Sequence, residues 1–421
     1  MSRRAFLSAA AVSGAFGVSA GSGLTGLLDV ESEAAAPLPA PERSGIDHIV
    51  VVMMENRSFD HFLGWVPGAD GRQSGLRYRD RHGRAHRVFH QRHLSGCGFA
   101  NPSHSYRGGR IEYDHGKCDG WLRANPHDLM SISYYKQGDL PFLGHAAPYW
   151  TTCDRYFAAV MAPTYPNRMY QHAARADRLR NSTHRSHVPT IWDRLAAKGV
   201  RGKYYYSDIP FLALWGRKHR SIAAPFRHFL TDAAAGRLPS VAFVDPRFAR
   251  EARGVSGDDH PPGDIRTGEA FLSKVYSAVT NSPNWPNTLL VINFDEWGGF
   301  YDHVRPRRAH DAHPKTALRG FRVPALVISP RARRHHVNHT VFDHTSILRA
   351  IEWRWDLEPL TTRDAHAHNI ARALDFGHRP DLTAPRFKVA PFHPRGCRAP
   401  TRQREVDWTG LRESAEKLGW P

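Results

Sequence analysis

Hydrophobic and polar positions along the chain divide it into short strand-like runs and longer stretches with helical spacing. The strand-like runs fall at 46–54, 201–206, 240–245, 288–294 and 323–328, several of them nearly continuous in apolar residues. Such runs, without strict alternation, are expected of strands covered on both faces. Thr190 to Lys198 opens with a capping threonine before an amphipathic run. Thr267 to Thr280 sets Ala270, Phe271, Val275 and Ala278 three to four residues apart, and Thr345 to Trp355 reads as a third helix. Strands alternating with helices predict an α/β fold with a mostly parallel sheet flanked by helices. Residues 66–150, rich in Gly, Arg, His and Tyr, show little periodicity and read as long, site-covering loops.

Two of these strands end in unusual chemistry. Leu289–Phe294 runs directly into Asp295-Glu296-Trp297-Gly298-Gly299-Phe300-Tyr301-Asp302-His303. Ile49–Met54 runs into Glu55-Asn56-Arg57-Ser58-Phe59-Asp60-His61. Adjacent carboxylates at a buried strand end repel one another unless a cation lies between them. Glu55, Asp295 and Glu296 with the Asn56 amide form an oxygen-rich set suited to one divalent metal. Such a set fits Ca, Mn, Mg or Fe better than Zn, which favours His and Cys ligands. In mostly parallel sheets the site lies beyond the carboxyl ends of the strands, where both clusters fall.

A phosphate-handling metal site also needs a nucleophile. Thr164, in Met161-Ala162-Pro163-Thr164-Tyr165-Pro166-Asn167-Arg168, sits on a backbone stiffened by two prolines. In isolation this segment reads as a turn; beside a metal, the threonine hydroxyl becomes a candidate nucleophile. His104, in Asn101-Pro102-Ser103-His104, and His260, in Asp258-Asp259-His260-Pro261-Pro262, are candidates for contacting a phosphoryl group. His303 is a candidate proton donor because it follows the 295–302 cluster. His344 reads mainly as the cap of the helix after it, and His335, His336 and His339 as a solvated basic run.

Composition adjusts this picture in a few places. The 421 residues carry a formal charge of +18 and 27 histidines, a surface that favours anionic partners or reflects a generally Arg-rich protein. The opening Ser2-Arg3-Arg4-Ala5-Phe6-Leu7, an Ala/Gly/Ser stretch and Ala34-Ala35-Ala36 predict a twin-arginine signal peptide over 1–36 and export to the cell envelope or medium. A linker follows at 37–44, then the catalytic domain at 45–360 and a peripheral Pro/Arg-rich tail at 361–421. The four cysteines form no C-x-x-C pair, which argues against a zinc ribbon. Cys97 with Cys118 is the easiest local disulfide, and free buried thiols are the alternative.

The segments HIVVVMMENRSFDHFLGW, NPSHSY, GKCDGW, APTYPNR, DEWGGFYDHV and FDHTSILRAIEWRW, in this order, resemble the bacterial phospholipase C and acid phosphatase family of the alkaline phosphatase superfamily. The resemblance implies an alkaline phosphatase-like α/β core. It also implies that Glu55, Asn56, Asp295 and Glu296 ligate one metal, and that Thr164 is the nucleophile and touches it. His104 and His260 would contact the phosphoryl group. Ala162 and Tyr165 depart from the family's usual G-P-T-N-P-N-R, so Tyr165 is a candidate for altering substrate shape. The expected reaction is phospholipase C cleavage of phosphatidylcholine-type phosphodiesters through a phosphothreonine intermediate, with acid phosphatase activity on monoesters as the alternative. Trp121, Tyr134, Tyr135 and Trp150 are candidates either for contacting the second ester group or for the core. A sulfatase is disfavoured, because oxidising threonine as those enzymes oxidise Cys or Ser would give a ketone. The non-enzymatic alternative is an inactive basic binding protein for a cell-wall polymer or nucleic acid. Expected partners are a phosphoester, foremost a phospholipid head group, and an anionic membrane or cell-wall surface, with no specific nucleic acid.

Overall fold

A computed structural model describes residues 37–397 and 406–420; the signal-peptide segment lies outside the described residues. Eight strands build the central sheet. In chain order they are β1 (His48–Met54), β2 (Thr151–Cys153), β3 (Gly202–Tyr206), β4 (Ala223–Pro225), β5 (Val241–Asp245), β6 (Thr288–Phe294), β7 (Ala325–Ile328) and β8 (His336–Asn338). Their order across the sheet is β8-β2-β7-β6-β1-β5-β3-β4. Only β7 runs antiparallel to its neighbours. Val50, Val51, Val52, Leu289, Leu290 and Val291 are fully buried, so both faces of the central strands are covered. All five anticipated strands are present. The short strands β2, β4 and β8 were not anticipated, because three residues carry no readable period.

Five helices matter below: α1 (Thr164–Ala173), α2 (Ile191–Ala197), α3 (Ile265–Thr280), α4 (His344–Trp355) and α5 (Val406–Lys417). The Asp193 carboxylate accepts from the Thr190 backbone N–H at 2.8 Å, closing the start of α2 as its sequence predicts. Asp264 caps α3 by accepting from Arg266 N at 3.1 Å. The cap of α4 is Asp343, which accepts from Thr345 N at 2.9 Å, and not His344. Aspartate accepts orphan N–H groups well, which frees the histidine for another task.

Residues 66–150 contain short helices at Tyr106–Tyr113 and Trp121–Ala124 and small two-stranded pairings, with connecting loops between them. Trp121 packs with Trp297, Tyr301 and Phe321 in a small second core, while Tyr135 and Trp150 belong to the main one. These three candidate contact residues are therefore buried packing residues. Tyr134 is half-buried beside the second core.

Two expectations about the end of the chain need correction. Cys97 pairs with Cys397 across 300 residues, and Cys118 is a free buried thiol, as is Cys153. Sequence proximity misled here, because the fold returns residue 397 to the 95–97 loop. The segment from 361 is not wholly peripheral: Ile370, Ala371, Trp408 and Leu411 are buried in the main core.

Candidate active site

The register of the two central strands assembles the site. β1 and β6 pair in parallel with Met54 opposite Phe294. Glu55 and Asp295 therefore emerge side by side, one residue beyond each strand. Asn56 adopts φ +60°, a left-handed conformation that asparagine tolerates well. Its N–H donates to Asp295 Oδ1 at 3.0 Å, and Glu296 N–H donates to the same oxygen at 2.6 Å. Gly298 N–H donates to Glu296 Oε2 at 2.6 Å. Gly298 has φ +64°, and a Cβ there would lie 2.2 Å from Asn56 O. Gly299 likewise admits the 102–103 backbone, with Ser103 O only 2.5 Å from where its Cβ would lie. Glycine here allows the loop bearing His104 to close over the strand ends.

Four oxygens are conspicuous by what they lack. Glu55 Oε2, Asn56 Oδ1, Asp295 Oδ2 and Glu296 Oε1 are buried without a hydrogen-bond partner. In each carboxylate the other oxygen is engaged, Glu55 Oε1 by Arg168 at 3.0 Å. A buried acceptor left unpaired costs about 1–3 kcal/mol, and more when charged. Burial and the Asp295 charge push the carboxyls of Glu55 and Glu296 well above the usual range. Burial raises Asp295 to about 6, against the pull of Arg168, of the Asn56 and Glu296 backbone N–H groups and of the nearby Thr164 hydroxyl. One oxygen left over from each of four residues fits a hard divalent cation.

Thr164 is the first residue of α1 and is nearly fully buried. The Asn167 amide braces the preceding turn, donating to Ala162 O at 2.7 Å and accepting from Val160 N at 3.0 Å. The positive end of α1 thus faces the same space as the Thr164 hydroxyl. Tyr165 packs against Phe211 and Trp408, with ring centroids 5.5 and 5.4 Å away, in the main core.

His104 and His260 lie together, their rings edge to face at 5.9 Å. His104 Nδ1 sits 2.9 Å from Pro102 O, which can only accept, so the proton belongs on Nδ1. Its Nε2 faces the Asn56 amide at 3.4 Å and Glu296 Oε1 at 3.9 Å. His260 is held neutral by burial, by His104 and by Arg57. Its Nδ1 lies 3.7 Å from Glu251 Oε2.

His303 lies elsewhere. Its Nδ1 is 2.6 Å from Asp60 Oδ2 and its Nε2 3.0 Å from Asp70 Oδ1. Both ring nitrogens are spent on carboxylates, so the structure does not gather His303 with Thr164, His104 and His260. His344 reaches inward instead of capping. Its Nε2 lies 2.7 Å from Asp295 O and its Nδ1 3.2 Å from the Tyr156 hydroxyl, which fixes the backbone of a candidate ligand.

Sequence reading missed Arg168, Asp245 and Glu251. Arg168, fully buried, donates to Glu55 Oε1, to Asp245 Oδ1 at 3.0 Å and to Met53 O at 3.0 Å. A signal existed, since Arg168 stands four residues after Thr164 on one helix, and i and i+4 share a face. Asp245 ends β5 just as Glu55 follows β1, so its position was also informative. Glu251 opens a single 3-10 turn, Glu251–Arg253, too short to leave a signal in the sequence.

Residues 46–358 match the family model described as the Phosphoesterase family, and the chain belongs to that family. It is 30% identical over 394 residues to Non-specific phospholipase C1 of Arabidopsis thaliana, a match spanning 81% of this chain and 73% of that protein. It is 28% identical to Non-hemolytic phospholipase C of Pseudomonas aeruginosa, spanning 90% of this chain and 64% of that protein. A solved structure of an alkaline phosphatase superfamily protein from Vibrio parahaemolyticus overlaps 79% of this chain and 71% of that one, at 8% identity and a TM-score of 0.39. The protein is a hydrolase of phosphoric esters, which sets aside the binding-protein alternative. Among the described residues no helix is long and apolar enough to cross a membrane.

Proposed function

We propose that the protein hydrolyses phosphodiesters in the manner of a phospholipase C, through a phosphothreonine on Thr164. The observation that carries this reading is the set of four orphaned oxygens on Glu55, Asn56, Asp295 and Glu296, with the Thr164 hydroxyl near enough to Asp295 to draw its pKa down. Those residues and Thr164 would hold one divalent cation, which supplies a lowered hydroxyl pKa and screening of phosphoryl charge. Asp295 orients the Thr164 hydroxyl. The Thr164 hydroxyl gives up its proton to solvent, and Oγ1 attacks phosphorus as the bond to the leaving alcohol breaks. The neutral His260 imidazole donates to a phosphoryl oxygen. His104, once protonated at Nε2, gives that proton to the leaving oxygen. Returned to neutrality, His104 draws a proton from the water that cleaves the phosphothreonine.

His303 is the one expected catalytic residue we reassign, because Asp60 and Asp70 already occupy both of its nitrogens. Export, with action on phosphoesters outside the cytoplasm, remains part of the proposal and rests on the sequence of residues 1–36.

The test compares p-nitrophenyl phosphate with p-nitrophenyl phosphodiesters, before and after chelation and with each divalent metal returned. Faster turnover of diesters, lost on chelation and restored by metal, is the expected result. Faster turnover of the monoester transfers the same Thr164 chemistry to an acid phosphatase. Rapid-quench trapping of phosphate on Thr164 tests the intermediate directly, and a burst of product with no labelled protein overturns it.

A further inference from the structure

A cavity of about 390 Å³ opens between the 248–253 loop and α5. Its wall includes Phe248, Arg250, Glu251, Arg253, Trp408 and Arg412. That volume suits a small polar group. The cavity adjoins the site through Glu251, whose carboxylate lies with ligand atoms of Glu55 and His260 inside a 4.8 Å cluster. Among the described residues its lining carries three arginines against the single Glu251 carboxylate, one oxygen of which lies 3.7 Å from His260 Nδ1. Arg250 and Arg253 are exposed and make no side-chain hydrogen bond or ion pair among the described residues. Arg412 has only a 3.9 Å contact with Glu416.

The two aromatic rings offer no cage for a quaternary ammonium. Phe248 and Trp408 stack on each other at 4.0 Å, and the Arg168 guanidinium lies 4.6 Å from the Phe248 centroid. Both rings are almost fully buried. Two features hold the wall in place. Trp408 anchors α5 in the core, and Cys397, bonded to Cys97, donates its N–H to Arg253 O at 2.8 Å.

We propose that this cavity is the subsite for one alcohol substituent on the reacting phosphorus, and that it selects a substituent bearing a second phosphate. This rests on the phosphodiester reading above and departs from the choline ester expected by resemblance. Arginine is the residue suited to such a group, through paired N–H donors.

The test uses soluble p-nitrophenyl phosphodiesters whose second alcohol ends in trimethylammonium, hydroxyl or phosphate. The leaving group is common to all three, so ratios of kcat/KM report the subsite alone. Three solvent-facing charge pairs predict roughly a tenfold or greater preference for the phosphate-ended diester over the choline one. Combining Arg250→Gln, Arg253→Gln and Arg412→Gln should collapse that ratio to about twofold or less. A general folding defect lowers all three rates together and leaves the ratio intact. Preference for the choline diester, or a ratio untouched by the triple variant, overturns the proposal. Calorimetric titration with inositol 1,4-bisphosphate gives a reading independent of turnover. Binding to the wild type that the triple variant loses supports the subsite even if diesters are not hydrolysed. Absent binding, or equal binding by both proteins, rejects it.

Discussion

The two motif blocks each build two things, and the contrast between them separates chemistry from architecture. Their first halves supply Glu55, Asn56, Asp295 and Glu296; their second halves supply Asp60, Asp302 and His303. Both groups are rich in carboxylates and buried apart from the half-buried His303, and Asp60, Asp302 and His303 also have ligand atoms within 4.8 Å of one another. The second group, however, is already filled. Arg322 donates to Asp302 Oδ1 at 2.9 Å, to Asp60 Oδ1 at 3.2 Å and to Asp154 O at 2.9 Å. His303 N–H and the His303 ring take Asp60 Oδ2. Arg72 N adds to Asp60 Oδ1, while Val304 N and Asp60 N complete Asp302. No side-chain atom of this clamp is orphaned, whereas each proposed ligand leaves one oxygen unsatisfied. Proximity of acidic groups is therefore a poor guide to a metal site; unsatisfied oxygens are a better one.

The largest expected effect tests the open half. Thr164→Ala should cut kcat by about 10⁴ or more while the melting temperature shifts little, since only a small side chain is lost. Retention of a tenth of wild-type turnover would remove Thr164 from the mechanism. Next comes the closed half. Arg322→Met leaves Asp60 and Asp302 buried without their cation and should cost about 3–5 kcal/mol in denaturant unfolding. A cost under 1 kcal/mol would mean the clamp is not what holds these blocks together.

Metal binding should act on one half only. Returning a divalent metal to chelated protein at 100 times its Kd should add about 2.7 kcal/mol of stability. Asp295→Asn should abolish most of that gain, and Asp302→Asn should leave it in place. The reverse pattern would exchange the two assignments.

The smallest effect comes from His303. Burial opposes its charge, but Asp60 and Asp302 overcome this and raise its pKa. A raised histidine stabilises the fold fully below its unfolded value of about 6.5 and ceases to do so as pH rises through the folded value. His303→Gln should therefore cost about 1–2 kcal/mol at pH 5.5 and less at pH 9. It should leave kcat within about twofold of the wild type at pH 5.5. A thousandfold loss of kcat with intact stability would restore His303 as a proton donor.

Much of this was legible along the chain. The strand ends were readable because an apolar run that stops in carboxylates is a local event. The neighbouring glycines were readable as turns, but the contacts that require them, with Asn56 and Ser103, lie far off in sequence. Arg168 could have been placed by helical spacing, although its bonds to Glu55 and Asp245 depend on how α1 docks beneath the strands. The disulfide was misread because spacing along the chain says nothing about a loop that closes after 300 residues. His303 and His344 both left their expected jobs, His303 for a pair of carboxylates and His344 for the Asp295 carbonyl. An imidazole's role follows from the two groups its nitrogens meet, and none of those groups is adjacent in sequence.

By itself, then, the sequence determined the α/β alternation, the buried strands, the two carboxylate-bearing strand ends and membership of a phosphoesterase family. These depend on period, burial and local motif, which are properties of neighbouring residues. Only the tertiary structure decided which carboxylates are satisfied and which are left open, how His104 and His260 come together beside Glu296, and where the arginine-lined cavity lies. Those outcomes depend on parallel strand register and on returns of distant chain, so they exist only once the sheet has formed.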